Sequence, residues 1–341
     1  MKRLLNVLYV TNPDAVVRKR SDAIAVSVDG RQVMSVPFHV LEQVVLFGHV
    51  GCSMSLLAAC ADHGVNVTLL DERGRFSARV EGPVSGNVLL RREQYRRAGI
   101  EDEALLVAKR FVMGKLHNTR VVLQRYARDY PDLSPTLKPT IDALQTGKGS
   151  VRQASSLDEL RGVEGDEAHR YFAVFANLLR INDPEITFSG RSRRPPKDPV
   201  NACLSFFYSL LSRDCATACE CVGLDPQMGF LHACRPGRAS LALDLMEELR
   251  APYVDRFVLS MFNRKQLTSG DFRRDPAGGC FLTDKALKQS VRLWQERKQG
   301  QVMHPFLKEK VPLGLLPFIQ AQLLARFLRG DLDDYPACMW R

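Results

Sequence analysis

At 341 residues the chain is longer than one hydrophobic core usually serves, so two domains are expected; 45% hydrophobic and 25% charged residues exclude a disordered or fibrous protein. The formal net charge of +10 points to a polyanionic partner, and since residues 1–86 hold nine Lys/Arg against eight Asp/Glu, nearly all of the excess falls on the later part of the chain. No stretch of about 18 uninterrupted apolar residues occurs and the first apolar run is interrupted at Asn6, which argues against a membrane span and a signal peptide and for a cytoplasmic protein without a membrane partner.

The first 85 residues alternate like strands. Ala23–Val28 and Arg31–Pro37 flank Asp29-Gly30, the signature of a hairpin around a type I′ turn. Val44–Phe47, Val65–Leu70 and Phe76–Val80 read as further strands, with a short helix from about Ser53 to His63 and a turn over Asp71–Arg75. Gly82-Pro83-Val84-Ser85-Gly86 then closes a small β-rich, sandwich-like domain over residues 1–85. From residue 86 the period is helical, and residues 86–341 are expected to form a larger all-α domain, giving an α+β chain. One or two helices fit Asp102–Ala127, Tyr130–Pro139 and Thr146–Ser150 read as loops, and Ser156 or Asp158 caps a helix that begins at Ser156–Arg161. Gly162 and Gly165 suit a bend between that helix and the next, Asp166–Leu179. Ile181–Pro199, with its bases and prolines, should be an extended surface segment, and Asn201–Cys221 is helical again. A Gly- and Pro-containing loop around Gly270–Gly279 precedes two amphipathic helices, Thr283–Lys298 and Leu315–Leu328. The nine cysteines include no paired Cys-x-x-Cys units, and the Cys215, Cys219, Cys221 cluster reads as small helix residues of a reduced protein rather than as zinc ligands or disulfides.

Chemistry concentrates in two places. In Met228–Glu247 the acids Asp244 and Glu247 stand three apart on one helical face, and His232 precedes a Pro236-Gly237 turn able to fold it back toward them. Leu241, Leu243, Leu245 and Met246 surround the acids, so the carboxylates need a partner: a divalent cation shared with His232, or buried salt bridges to Arg235 or Arg238. Glu164, in Leu160-Arg161-Gly162-Val163-Glu164-Gly165, is the candidate for a further oxygen ligand from a distant segment.

Leu160–Gly165 with Tyr171-Phe172, Arg194–Asn201 with Leu204–Tyr208, Gly229–His232 and Ser240–Glu247 together resemble, in order, the motifs of the CRISPR-associated spacer-acquisition integrase, the first of the numbered Cas proteins. The opening Asn-Val-Leu-Tyr-Val and the cysteine-rich helix look most like its subtype I-C branch. The resemblance implies metal ligands at Glu164, His232 and Glu247, with Asp244 an additional catalytic acid beside them; Glu247 stands where many members have Asp. It implies magnesium or manganese, and a histidine among carboxylates suits manganese somewhat better. The implied activity is joining of the 3′-hydroxyl ends of captured fragments to the repeat array by transesterification, with cutting of branched DNA when water attacks. The implied assembly is a homodimer formed through the N-terminal domains, in a heterohexameric complex with the small ferredoxin-like second Cas protein. Arg191, Arg193, Arg194 and Lys197 in the proline-rich segment, and Arg235 and Arg238 after His232, are the candidate phosphate contacts with double-stranded and branched DNA. A structure-selective repair nuclease, or a basic scaffold with a degenerate metal site, shares most of these features and competes with this reading.

Overall fold

Short β-branched runs separated by turn residues fold first into strands. The computed structural model describes residues 7–41, 43–71, 76–80, 82 and 88–340, and divides into two compact units, 1–85 with 287–295 and 86–286 with 296–341. The strands β1 (Val7–Val10), β2 (Ala15–Arg20), β3 (Ala23–Val28), β4 (Arg31–Pro37), β5 (Gln43–Phe47) and β6 (Gly51–Cys52) are followed by α1 (Met54–Asp62), β7 (Asn66–Leu70) and β8 (Phe76–Val80). They make two four-stranded sheets, ordered β1-β5-β7-β8 and β4-β3-β2-β6. The expected hairpin is present: β3 and β4 pair antiparallel, and Asp29 and Gly30 both have positive φ, 51° and 75°, as a type I′ turn requires. β5 is buried along its whole length and pairs in parallel with β1 and β7, which is why it reads as an unbroken apolar run. One buried cluster joins Val44, Leu46 and Val67 of the first sheet to Val17 and Ile24 of the second and Leu56 and Cys60 of α1, so the sheets share a core as in a sandwich. Ser53 caps α1 by accepting from Leu56 N. The turn at Asp71–Arg75 and the boundary Gly82–Gly86 fall largely outside the described residues.

The second unit is mainly helical: α2 (Val88–Ala98), α3 (Glu101–Asp129), α4 (Ser134–Gln153), α5 (Leu157–Val174), α6 (Pro199–Cys221), α7 (Ser240–Glu247) and α8 (Arg256–Asn263). A ribbon of β9 (Phe272–Arg274) and β10 (Cys280–Leu282) follows, then α9 (Asp284–Gln299), whose residues 287–295 are counted with the first unit, a ribbon of β11 (Gln301–Met303) and β12 (Lys310–Pro312), and α10 (Leu316–Leu328). The domain is therefore not wholly α-helical: the Gly270–Gly279 segment contains strand β9 and the turn of the first ribbon.

Two local expectations fail for identifiable reasons. Residues expected as loops form α4, because Pro135 sits in its first turn, where its missing N–H costs nothing, and the helix is held by buried Leu137, Ile141, Leu144 and Val151. The bend at Gly162 and Gly165 does not occur; α5 runs unbroken from its Ser156 cap, and both glycines face open space. Around the site, α3 packs against α4, α5 and α7, and α6 packs against α7 and α10. Between α7 and α8 the chain makes a wide π-type turn, Arg250–Asp255, since Pro252 has no N–H to give to a normal helix. Arg297 satisfies two carbonyls of that turn, donating from Nη2 to Pro252 O at 2.7 Å and from Nε to Tyr253 O at 3.1 Å.

Candidate active site

All the residues of the site lie in the second unit. Glu247, at the end of α7, is buried; Glu164, midway along α5, is a quarter exposed; His232 lies on the irregular segment before α7. The two carboxylates converge on one cation, the Lys115 ammonium from α3, which pairs with Glu164 Oε1 and lies 2.7 Å from Glu247 Oε2. The other oxygen, Glu247 Oε1, accepts from Arg250 Nη1 at 2.6 Å and stands 4.0 Å from His232 Nε2. Burial pushes the Glu247 carboxyl up, but Arg250, Lys115 and His232 together hold it well below the usual carboxylate range.

Asp244, the additional acid of the set, stands behind the imidazole. It is fully buried, and both its oxygens are occupied: Oδ2 accepts from Phe230 N at 2.6 Å and Leu231 N at 3.0 Å, and Oδ1 accepts from His232 N at 2.9 Å and His232 Nδ1 at 2.7 Å. Because a carboxylate only accepts, Nδ1 carries a proton and donates it to Asp244, which turns Nε2 toward Glu247. Asp244 thus holds the imidazole, and no lone pair of it faces the other acids. Gly229 makes this possible, since a Cβ there would lie 2.8 Å from Asp244 Oδ2 and 2.8 Å from Ser240 Cβ. We expect Gly229→Ala to lose several kcal/mol of stability, about 2–4 for overpacking together with disrupted buried hydrogen bonds, read as a lowered urea midpoint; an unchanged midpoint would show that the loop can yield.

Sequence reasoning missed four contributors. Lys115 is one of six Lys/Arg along α3, and nothing in its spacing singles it out. Arg250 stands three residues beyond Glu247, and this spacing was available as a clue. Arg161 donates from Nε to Leu231 O at 2.8 Å, tying the Glu164 helix to the segment that carries His232. Behind Arg250, whose guanidinium lies 4.2 Å from the Tyr208 ring centre, Tyr208 and Tyr171 both donate to buried Asp255, and burial pushes that carboxyl up to about 6. The salt-bridge partners named from the sequence, Arg235 and Arg238, do not reach the acids.

The proposed phosphate contacts divide. Arg191 is turned inward: its guanidinium donates to Asn201 Oδ1 at 2.6 Å and Ser192 O at 2.7 Å and lies 5.3 Å from the Tyr208 ring centre, so it supports the loop instead of facing a phosphate. Arg193, Arg194, Lys197 and Arg235 are exposed and Arg238 is partly so, none with an anionic side-chain partner among the described residues. Arg193 also lines the cleft that contains Lys115, Glu164, Glu167, Tyr171 and Arg250. At about 40 Å³ that cleft has room for an ion and a few waters and none for a nucleotide, so a larger substrate must lie across its mouth.

Among the described residues no preformed group of three or more His, Cys, Asp or Glu side chains encloses a metal position. The donor set nonetheless fits one. Two carboxylates already share a cation in the Lys115 ammonium, and an imidazole fixed at Nδ1 by a carboxylate is the usual support for a metal-binding Nε2.

In fold, the chain matches solved structures along nearly its whole length. A casposase bound to its integration product matches with a TM-score of 0.82 at 23% identity, covering 99% of this chain and 93% of that one. A chain of a Cas6-RT-Cas1–Cas2 complex matches at 0.84 and 24% identity, covering 99% of this chain and 36% of the other. The chain belongs to the family of the CRISPR-associated protein Cas1, whose family model matches residues 8–296, and is therefore of the Cas1 endonuclease and integrase type. CRISPR-associated endonuclease Cas1 2 of Rhodospirillum rubrum is 50% identical to it over the full length of both chains.

Proposed function

We propose that this chain is the divalent-metal-dependent integrase and endonuclease of a CRISPR adaptation system, of subtype I-C, which joins the 3′-hydroxyl ends of captured DNA fragments into the repeat array and cuts branched DNA when water replaces the hydroxyl. The observation that carries this reading is the convergence of Glu164 and Glu247 on one cation position beside the Nε2 of a histidine fixed by Asp244. Glu164, Glu247 and His232 would hold Mg2+ or Mn2+. A divalent ion there supplies Lewis-acid polarisation of a phosphodiester and favours the deprotonated form of an attacking hydroxyl.

The chain's own residues do the rest. Asp244 keeps the His232 proton on Nδ1. Arg250 and Arg193 provide positive charge at the cleft, where the pentacovalent phosphate gains charge. Arg194, Lys197, Arg235 and Arg238 would serve as the phosphate contacts that make binding salt-dependent. The assembly we propose is a homodimer through the β-rich unit, whose strand β4 exposes Val33 and Met34, together with the second Cas protein in a heterohexamer on double-stranded DNA. The Cas2 named in the complex above belongs to that neighbour and supports this partner by analogy. No helix among the described residues is long and apolar enough to cross a membrane; the site of action we propose is the cytoplasm.

The test is joining. A duplex fragment with free 3′-hydroxyls is incubated with a supercoiled repeat-bearing plasmid, the second Cas protein and Mn2+. Joined products are expected, and Glu164→Ala, His232→Ala and Glu247→Ala should each lower the initial rate by about 10²–10³-fold, as the loss of a major electrostatic contribution to the transition state does. Cleavage without joining would refute integration, and activity that survives all three substitutions would refute the site.

A further inference from the structure

The helical unit contains a second, larger cavity, about 340 Å³, lined by Arg125, Arg256, Met303, His304, Lys308 and Trp340 among others. It shares no lining residue with the catalytic cleft, although Asp255 lines that cleft and the next residue in the chain, Arg256, lines this cavity.

Its charge is unbalanced. Arg256 is partly buried at the start of α8 and has no hydrogen bond or ion pair with any described residue. Burial first, and then the like charge of Arg125, depress its guanidinium. The acid whose charge opposes this is Asp129, which already receives Arg125 Nε at 3.4 Å and Arg128 at 3.1 Å. Lys308 is exposed on the loop after β11, and its side chain has no anionic partner among the described residues. A guanidinium left without an anion in a partly desolvated cavity, like that of Arg256, is unfavourable, and a phosphate oxygen answers its geometry with paired N–H donors.

The other walls are fixed. His304 accepts from Leu307 N at Nδ1, 3.1 Å, so Nε2 carries the proton and donates to Gln320 Oε1 at 3.0 Å; both nitrogens are used and the imidazole is wall rather than ligand. Trp340 is pinned through its backbone, donating to Asn118 Oδ1 at 2.7 Å and accepting from His117 Nε2 at 2.8 Å, which holds a flat apolar surface beside the cations.

We infer that this cavity is a second anion site, which binds a phosphate group between Arg125, Arg256 and Lys308 with Trp340 covering one side. The phosphate comes from a DNA strand that continues past the catalytic cleft, or from a free nucleotide or inorganic phosphate. The site does not depend on metal at Glu164 and Glu247.

The full chain reports on itself. It has two tryptophans, of which Trp294 is fully buried, so a change in emission on titration belongs to Trp340. Metal-free protein is titrated separately with pyrophosphate, with dAMP and with a short single-stranded oligonucleotide, by fluorescence and by calorimetry. Saturable binding of at least one is expected, with the fluorescence change lost in Trp340→Phe. Arg256→Gln should weaken the binding at least tenfold while Arg256→Lys, folded to the same thermal midpoint, restores part of it. A response to the oligonucleotide alone assigns the site to DNA, and a response to pyrophosphate or dAMP assigns it to free phosphates. If none of the three changes Trp340 emission, or if Arg256→Gln, still folded, leaves every affinity unchanged, the proposal is overturned. Because no metal and no joining enter the assay, these outcomes are independent of the catalytic reading.

Discussion

Lys115→Met will destabilise the metal-free protein and tighten its binding of Mn2+. In the absence of metal the ammonium is the cation shared by Glu164 and Glu247, and Glu247 is only 3% exposed. Methionine keeps the length and apolar stem of the side chain but leaves two carboxylates facing each other, with Arg250 at 2.6 Å and the more distant His232 at 4.0 Å the remaining partners of Glu247. Removing one member of a buried ion pair costs about 3–5 kcal/mol because the other charge stays buried and uncompensated. Urea unfolding in the presence of a chelator should therefore show a loss of that order. Mn2+ should return most of it, since a ligand at 100 times its dissociation constant stabilises by about 2.7 kcal/mol. In the parent chain the incoming metal must displace the ammonium, so calorimetric Mn2+ affinity should be higher in the variant. Equal affinities in the two proteins would mean that Lys115 and the metal do not compete for the same position, and the assignment of Glu164 and Glu247 as ligands would fail with it.

This competition also marks the limit of what the residues alone disclose. The hairpin at Asp29-Gly30, the short helix capped by Ser53 and the buried strand β5 were legible because each rests on local chemistry: a turn needing positive φ, a hydroxyl cap, an apolar run. The helix α4 was not, because Pro139, Gly147 and Gly149 argue against it locally, and its stability comes from packing against α3 and α5. The site divides along the same line. Glu164, His232 and Glu247 were nominated from motif and spacing, whereas Lys115 lies 49 residues from Glu164 and 132 from Glu247, a separation across which no periodicity carries information. Arg191 shows the converse error: in a segment rich in bases and prolines it read as a surface charge, but Asn201, at the buried start of α6, gives its guanidinium an internal acceptor.

Asp244→Asn will separate the holder of the imidazole from the ligands of a metal. The amide can accept with one atom only, so either the Phe230 and Leu231 N–H groups or the two His232 donors lose their acceptor. Leaving two buried donors unpaired costs about 1–3 kcal/mol each, which should appear as a lower urea midpoint in chelator. If the amide turns its oxygen to Phe230 and Leu231, its NH2 faces Nδ1, and the imidazole must move its proton to Nε2 to accept. Nε2 then carries the proton and cannot ligate a metal. Nitrogen-15 spectra of the imidazole should report the change of tautomer, and Mn2+ affinity should fall about 10–100-fold, as the loss of a supporting carboxylate does. The deciding measurement is the double variant with His232→Ala. An acid that acts through His232 has nothing further to lose once the imidazole is gone, so the affinity of the double variant should match that of His232→Ala alone. An additional loss equal to the effect of Asp244→Asn by itself would instead make Asp244 an independent ligand, and would require its oxygens to leave the backbone groups they now hold.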